Sequence, residues 1–170
     1  PAVAWQQEDL TVFASNASLD FSEDFDGLQA AFVAVETPDS STFLQNVAAG
    51  ANDTGAFVVA DGVVYNAANE QAVLQNASLL VDPNGDLRLQ AANMAWNSPD
   101  LQFNAQGVDI EQTRDGTSFS ALALAGQHDG VIAQADEMTL SFGPEGAQLS
   151  AAQLALSGPE FSASGTNLAL

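Results

Sequence analysis

The sequence predicts an all-β protein of about eleven or twelve strands, built from a two-strand unit of about 30 residues. Three observations support this prediction. An apolar residue is followed two places later by Ala, Asn or Gly and five and seven places later by apolar residues, and this pattern occurs eleven times in register. Successive copies begin 14 to 16 residues apart. Turn-forming residues separate the copies, and no segment shows the periodicity of a long helix.

Each copy predicts one strand, because side chains alternate between the two faces both before and after the third and fourth residues of the copy. The break in phase between those positions predicts a bulge or a bend in every strand. Repeated words support the unit, since Asn16-Ala-Ser-Leu19 returns as Asn76-Ala-Ser-Leu79. In chain order the copies are 14–21, 28–35, 44–51, 58–65, 74–81, 89–96, 103–110, 119–126, 133–140, 149–156 and 163–170.

The connections between copies are short and rich in turn residues, such as Asp115-Gly116 and Asp129-Gly130. Residues 14–170 therefore predict a single β-repeat domain. Residues 1–13 form a separate N-terminal segment, which we expect to supply an extra or a donated strand.

Two architectures share this pattern: an elongated antiparallel meander or jelly roll, and a two-sheeted parallel β-solenoid. Asn16, Asn46 and Asn76, taken as an inward ladder, favour the solenoid because stacked amides satisfy one another. Acidic turns favour the meander, which keeps like charges on one rim about 9.6 Å apart instead of about 4.8 Å. The pattern places Glu36, Glu70, Glu111 and Glu145 on one rim and Asp53, Asp100, Asp129 and Glu160 on the other. We favour the meander, with the solenoid as the alternative.

The charge balance limits the partners that the chain can bind. Against 22 Asp and Glu stand only 2 cations, Arg88 and Arg114, so the formal net charge is −20 at pH 7. Nucleic acid and anionic membrane surfaces are bound through clustered Lys and Arg, so we expect neither as a partner. No apolar stretch reaches the roughly 18 residues of a membrane-spanning helix. The absence of cysteine excludes disulfides, thiolate zinc sites and a cysteine nucleophile.

The strand word resembles that of the OstA-like lipopolysaccharide-transport domains, which reads apolar, any, Ala or Gly, any, any, apolar, any, apolar. Leu89-Gln-Ala-Ala-Asn-Met-Ala-Trp96 and Val131-Ile-Ala-Gln-Ala-Asp-Glu-Met-Thr-Leu140 carry the resemblance. It implies a twisted, V-shaped antiparallel jelly roll whose interior shelters lipid acyl chains and whose copies join end to end. The sequence differs from that family in its near absence of Lys and Arg.

No motif predicts catalysis. His128 lies in Gln127-His-Asp-Gly130, and an exposed turn histidine is the expected interpretation, in preference to a general base. The sequence contains no Gly-x-Ser-x-Gly elbow, phosphate loop or dinucleotide fingerprint. We therefore expect a protein that is not an enzyme and has no resident cofactor, with calcium as the one candidate.

Calcium is suggested by hard oxygen ligands on two tight turns. The candidate ligands are Asp24 and Asp26 on one turn and Asp82 and Asp86 on the other. Their spacing matches neither an EF-hand loop nor the nonapeptide repeats of calcium β-rolls. Ordinary Asp-Gly turn chemistry is the alternative explanation.

Large inward positions predict either a packed core or an apolar groove that accepts lipid. They are Phe21, Tyr65, Met94, Trp96, Phe103, Phe119 and Met138. Core packing is the favoured interpretation, because any β-sandwich needs such a set.

The last strand predicts an assembly edge. Residues 161–170 are uncharged, whereas natural sheets usually protect an exposed edge with Lys, Pro or a covering element. Phe161, Leu168 and Leu170 are the large apolar residues of this edge, and the stretch that contains Trp5 offers a strand to pair with it. Head-to-tail pairing of this kind produces an open fibre.

These features favour a structural protein of the cell exterior, secreted or held at the cell surface. We expect a β-repeat subunit of an extracellular filament, surface layer or adhesin that associates with itself head to tail. Strong acidity keeps such a material soluble. The alternative is a periplasmic OstA-like protein that binds and transports lipid or lipopolysaccharide.

Overall fold

The computed structural model describes the backbone of residues 2–22 and 25–170 and the side chains of residues 2–19 and 27–170. These residues form strands and turns, with no helix among them. The strands are β1 (Ala2–Gln7), β2 (Leu10–Ser15), β3 (Ser18–Ser22), β4 (Phe25–Glu36), β5 (Ser40–Asn52), β6 (Gly55–Ala67), β7 (Glu70–Val81), β8 (Leu87–Asn97), β9 (Leu101–Thr113), β10 (Gly116–His128), β11 (Val131–Gly143), β12 (Gly146–Ser157) and β13 (Ser162–Ala169).

All thirteen strands belong to one open sheet that follows chain order from β1 to β13. Every paired strand in the described ranges is antiparallel, which confirms the meander and makes the parallel solenoid wrong. β2 and β3 lie end to end against β4, since Ser15 pairs with Phe32 and Ser18 pairs with Gln29. The thirteen strands therefore occupy twelve positions across the sheet.

A bend crosses the whole sheet at right angles to the strands. Between β5 and β6, Gln45 pairs with Gly62 and Ala48 pairs with Val59, and the ladder is interrupted between these two pairs. Two residues lie in the interruption on each strand, so the strands bend together without an inserted residue. Comparable interruptions recur between the later strand pairs as far as β12 and β13.

Every second strand crosses the bend through a residue with positive φ. These residues recur every 30 or 31 positions: Asn16 (φ 51), Asn46 (φ 50), Asn76 (φ 48), Gly107 (φ 59), Glu137 (φ 47) and Asn167 (φ 52). Asn and Gly adopt this left-handed conformation more readily than other residues do. Asn16, Asn46 and Asn76 are exposed, so their predicted inward stacking is wrong. The asparagines recur because the backbone bends there.

The bend divides the sheet into two arms. Arm A contains β1 and β2, and the parts of β5, β7, β9, β11 and β13 that precede the bend. It also contains the parts of β4, β6, β8, β10 and β12 that follow the bend. Arm B contains β3 and the remaining parts of the other strands.

The concave side of the bend carries an inner bend row, whose members are Ala17, Ala30, Val47, Ala60, Ala77, Ala91, Val108, Ala121, Met138, Ala151 and Leu168. The first eight and Ala151 are at most 7% exposed. Small side chains here allow the arms to approach each other.

The hydrophobic core forms between the arms. Leu74 and Ala105 of arm A pack in one cluster with Leu89 and Ile110 of arm B. A second cluster, nearer the N-terminal edge, joins Val33 of arm A to residues of arm B in the same way. The protein is thus a single sheet folded along a line, and its core lies inside the fold.

The predicted assignment of acidic residues to the two rims is wrong. Glu36 and Glu70 lie beside turns at the rim of arm A, together with Asp100, Asp129 and Glu160. Asp53 and Glu145 lie in turns at the rim of arm B, and Glu111 belongs to that arm as well. The turns on each rim are still two strands apart, about 9.6 Å, so the electrostatic argument for a meander holds.

Candidate functional site

The predicted apolar residues lie on the inner surfaces of the fold. Tyr65, Met94, Trp96 and Phe103 belong to arm A, Phe119 to arm B and Met138 to the inner bend row, and all are partly buried. The rings of Phe103 and Phe119 meet edge to face across the fold, with centroids 6.4 Å apart and an interplanar angle of 81°. The arms are therefore in contact in the middle of the sheet. Phe21 lies outside the described side chains.

A second aromatic contact lies on the outer surface of arm A and was outside the predicted pattern. The rings of Phe32 and Phe43 stack with centroids 6.0 Å apart and an interplanar angle of 25°. Ala34 pairs with Phe13 on one neighbouring strand and with Phe43 on the other, and it is buried although its side chain faces outward. Phe32 directly precedes the inward Val33 and is therefore out of phase with the predicted strand pattern.

The C-terminal edge of the sheet is formed by β13, whose only neighbour among the described strands is β12. Leu170 exchanges two backbone hydrogen bonds with Leu149 at 2.9 and 3.0 Å, yet 78% of the residue is exposed. Leu168 is partly buried opposite Ala151. Phe161 precedes β13, and its backbone carbonyl accepts a hydrogen bond from the N–H of Gly158 at 2.9 Å. The three predicted edge residues thus lie on or beside one unpaired strand edge.

The opposite edge is formed by β1 in arm A and by β3 in arm B. β1 pairs with β2 as a hairpin, with Trp5 opposite Val12 and Val3 opposite Ala14. Val12 and Ala14 face the core, so Val3 and Trp5 share that inner surface. Trp5 is 48% exposed because no further strand covers it in the described part of the chain.

The outer surface of arm B carries the one ion pair that involves an arginine in the described residues. Arg88 donates from Nε to Oδ1 of Asp109 at 3.0 Å and from Nη2 to Oδ2, while Gln90 donates to Oδ2 at 3.0 Å. The hydrogen bonds from Arg88 are the main cause of the lowered pKa of Asp109, and they raise the pKa of Arg88. This arrangement neutralises one carboxylate in a strongly acidic chain and brings no nucleophile or base to it.

The second candidate calcium turn is closed by its own hydrogen bonds. Oδ1 of Asp82 accepts from the backbone N–H groups of Asn84 at 2.7 Å and Asp86 at 3.0 Å, and Oδ2 accepts from the side-chain amide of Asn84 at 3.1 Å. Partial desolvation acts to raise the pKa of Asp82, but these hydrogen bonds together lower it. A cation would have to displace N–H donors from this carboxylate.

Elsewhere the described side chains contain no group of three or more His, Asp or Glu residues placed to hold a metal ion. Asp24 and Asp26 lie outside the described side chains, so calcium at that turn stays a prediction.

His128 lies at the rim of arm A, where β10 ends. Its Nδ1–H donates to the backbone carbonyl of Asp100 at 2.7 Å, and its Nε2 lies 3.6 Å from Oδ2 of Asp129. The imidazole is largely exposed. These contacts connect the turn that precedes β9 to the turn that follows β10.

Comparison with protein-family models, with curated proteins and with solved structures finds no match for this chain. The described part of the chain has no helix with the length and hydropathy needed to cross a membrane.

Proposed function

We propose that this chain is a non-enzymatic structural subunit of the cell exterior that assembles head to tail by extending its sheet from one copy to the next. The observation that carries the proposal is the relationship between the two edges. Among the described strands, β1 and β13 each have one edge with no neighbouring strand, and the inner apolar surface continues to both. This arrangement suits a filament, a surface layer or an adhesin.

Strand direction permits such an extension. The twelve positions of the sheet alternate in direction, so β13 at one edge runs opposite to β1 at the other. When β1 of a second copy lies beside β13, the new pair is antiparallel and the alternation continues. The joint therefore reproduces the pairing found at every position within the sheet.

Side-chain sizes at the two edges are complementary. Paired residues form rows that cross the inner surface from one edge to the other. One row begins at Trp5 and ends at Ala163, and the adjacent row begins at Val3 and ends at Gly165. When the rows continue across the joint, Trp5 of one copy lies beside Ala163 of the preceding copy, and Val3 lies beside Gly165 of that same preceding copy. A large side chain next to a small one packs without a void.

The net charge of −20 sets the condition for assembly, because copies of the chain repel one another. Salt screens this repulsion, with a Debye length of about 10 Å at 0.1 M. An acidic subunit of this kind stays dispersed at low ionic strength and associates outside the cell when salt is present.

Light scattering and negative-stain microscopy at increasing protein and NaCl concentration test the proposal. We expect linear particles whose mass rises with salt, and at least tenfold weaker association for Trp5→Ala and for Ala163→Trp. Leu122→Ala removes an exposed apolar side chain from the middle of the sheet and serves as the control. A monomer under all conditions, or association that both edge variants leave intact, contradicts the proposal.

A second candidate is the lipid carrier implied by the OstA resemblance. The observation that favours it is the exposure of large inner-facing side chains near the open ends, such as Trp5 and Phe142, which is 52% exposed. Acyl chains would have to separate Phe103 from Phe119 to enter the middle of the fold. Retention of spin-labelled palmitate through gel filtration supports this candidate, and complete loss of the probe excludes it.

A further inference from the structure

An open groove of about 660 Å³, lined by both polar and apolar groups, crosses the outer surface of arm A between β9 and β13. Two neighbouring rows of side chains line it, as the strand register shows. One row contains Asn104, Ala125, Gln134, Ala155 and Ser164, and the other contains Gln106, Ala123, Asp136, Gln153 and Thr166. These positions alternate with the inward Ala105, Leu124 and Ala135, so they face away from the core.

The shape of the groove follows from the alternation of side-chain size along each row. The lining combines short alanine side chains at 123, 125 and 155 with longer amide side chains on neighbouring strands, such as Gln134 and Gln153. The volume lies within the range of about 300–1,000 Å³ that is common for small-molecule sites.

Most polar side chains of the groove have no hydrogen-bond partner among the described residues. Asn104, Gln106, Gln134, Gln153 and Asp136 make no side-chain hydrogen bond to another described residue. Elsewhere on the same surface, by contrast, Asn93 donates to Oε1 of Gln75 at 3.0 Å, and Gln71 donates to Oδ1 of Asn66 at 2.8 Å. The groove therefore gathers donors and acceptors whose partners come from outside the chain.

We propose that this groove binds a short, uncharged oligosaccharide. Each primary amide offers two donors and a carbonyl acceptor, and each sugar hydroxyl offers one donor and two acceptor lone pairs, so the two sets match in kind. The carboxylate of Asp136 accepts hydrogen bonds from sugar hydroxyls, and charge assistance makes these the strongest contacts of the site. The lining contains no Lys, Arg or His, which disfavours phosphorylated or carboxylated sugars.

The proposal does not depend on filament formation, because the groove lies on the face of the sheet. The test is saturation-transfer difference NMR, which detects signals of the ligand and can be applied both to a monomer and to a large assembly. The probes are maltotetraose, cellotetraose, mannotetraose and N-acetylchitotetraose at millimolar concentration, with tetragalacturonate as an anionic comparison. We expect transfer to at least one neutral probe and none to tetragalacturonate.

Variants locate the binding site. Gln134→Ala and Asp136→Ala should each weaken binding of the responsive probe at least tenfold. Gln75→Ala removes an amide that is already paired outside the groove and should leave binding unchanged. The proposal is overturned when no neutral probe gives a signal, when both groove variants bind normally, or when tetragalacturonate binds as well as the neutral sugars.

Discussion

Phe103 and Phe119 contact each other edge to face, with ring centroids 6.4 Å apart, although they belong to opposite arms of the sheet. Phe119 pairs with Ile110, which lies seven residues beyond Phe103 on β9. In a straight strand this separation is about 23 Å. The contact therefore exists only because the sheet folds at the bend, and it reports directly on closure of the arms.

Removing either ring should open the fold locally and lower stability. We expect Phe103→Ala and Phe119→Ala each to reduce the free energy of unfolding by about 2–3 kcal/mol, less than the roughly 3–5 kcal/mol for fully buried rings. The double variant should reveal a coupling of about 0.5–1.5 kcal/mol between the two rings. Urea denaturation followed by fluorescence measures all three. Additive effects of the two substitutions would show that the arms do not hold these rings together.

The inner bend row should tolerate only small side chains. Ala91 is buried in this row, and its neighbour Ala92 is exposed on the opposite side of the bend. We expect Ala91→Leu to cost about 1–3 kcal/mol by overpacking, and Ala92→Leu to change stability by less than about 0.5 kcal/mol. Thermal unfolding of the matched pair measures the difference. Equal effects would mean that the concave side of the bend has room for a large residue.

Glu137 occupies a left-handed bend position at which four equivalent strands carry Asn. Asn tolerates this conformation better than Glu does, so Glu137→Asn should raise the free energy of unfolding by about 0.5–1 kcal/mol. In a chain of this size the melting temperature should rise by about 1–4 °C. Glu137→Gln removes the same charge without the conformational benefit, and it separates the two causes in a calorimetric comparison. A gain of equal size in both variants would assign the effect to charge alone.

Two glycines with similar φ differ in what surrounds them. Gly55 (φ 129) begins β6, and an added Cβ there would lie 2.2 Å from the backbone oxygen of Val81. Gly146 (φ 113) begins β12 and has open space at the same point. Both Ala variants carry backbone strain, but Gly55→Ala should be about 1–3 kcal/mol more destabilising because the strands must also move apart. Chemical denaturation of the two variants provides the measurement, and similar losses would refute close packing at Gly55.

The ion pair between Arg88 and Asp109 predicts a pH dependence. The folded state lowers the pKa of Asp109, so the pair stabilises the protein above the unfolded pKa of about 3.9. That contribution is lost as the pH falls through the pKa of the folded state. Arg88→Gln should raise the pKa of Asp109 toward its usual value, as followed by NMR titration, whereas Arg114→Gln removes the same charge and should not. An unchanged titration of Asp109 in Arg88→Gln would contradict this.

The repeat pattern identified the strands because alternation and turn chemistry are local properties. Leu28, Ala30, Val33 and Val35 all follow the predicted inward pattern, and the same holds for the equivalent positions of β6, β8, β10 and β12. In β5 and β7 the small inward residue lies one place later than predicted, as Val47 instead of Asn46 shows. In β9 and β11 it lies where the pattern places it, since Ala105 and Ala135 are buried. The spacing alone could not reveal this shift.

Turn residues and alternating polarity predicted an all-β chain with a two-strand repeat, and the acidic turns favoured an antiparallel meander over the parallel solenoid that shares the pattern. The antiparallel pairing, the stacking of Phe32 on Phe43 at the outer surface and the amide side chains around the groove are visible only in the folded sheet. These features depend on contacts between distant strands, whereas alternation specifies only that neighbouring residues face opposite sides of the sheet. In every second strand a residue with positive φ changes the phase at the bend, and the alternation of the sequence does not show where that change falls.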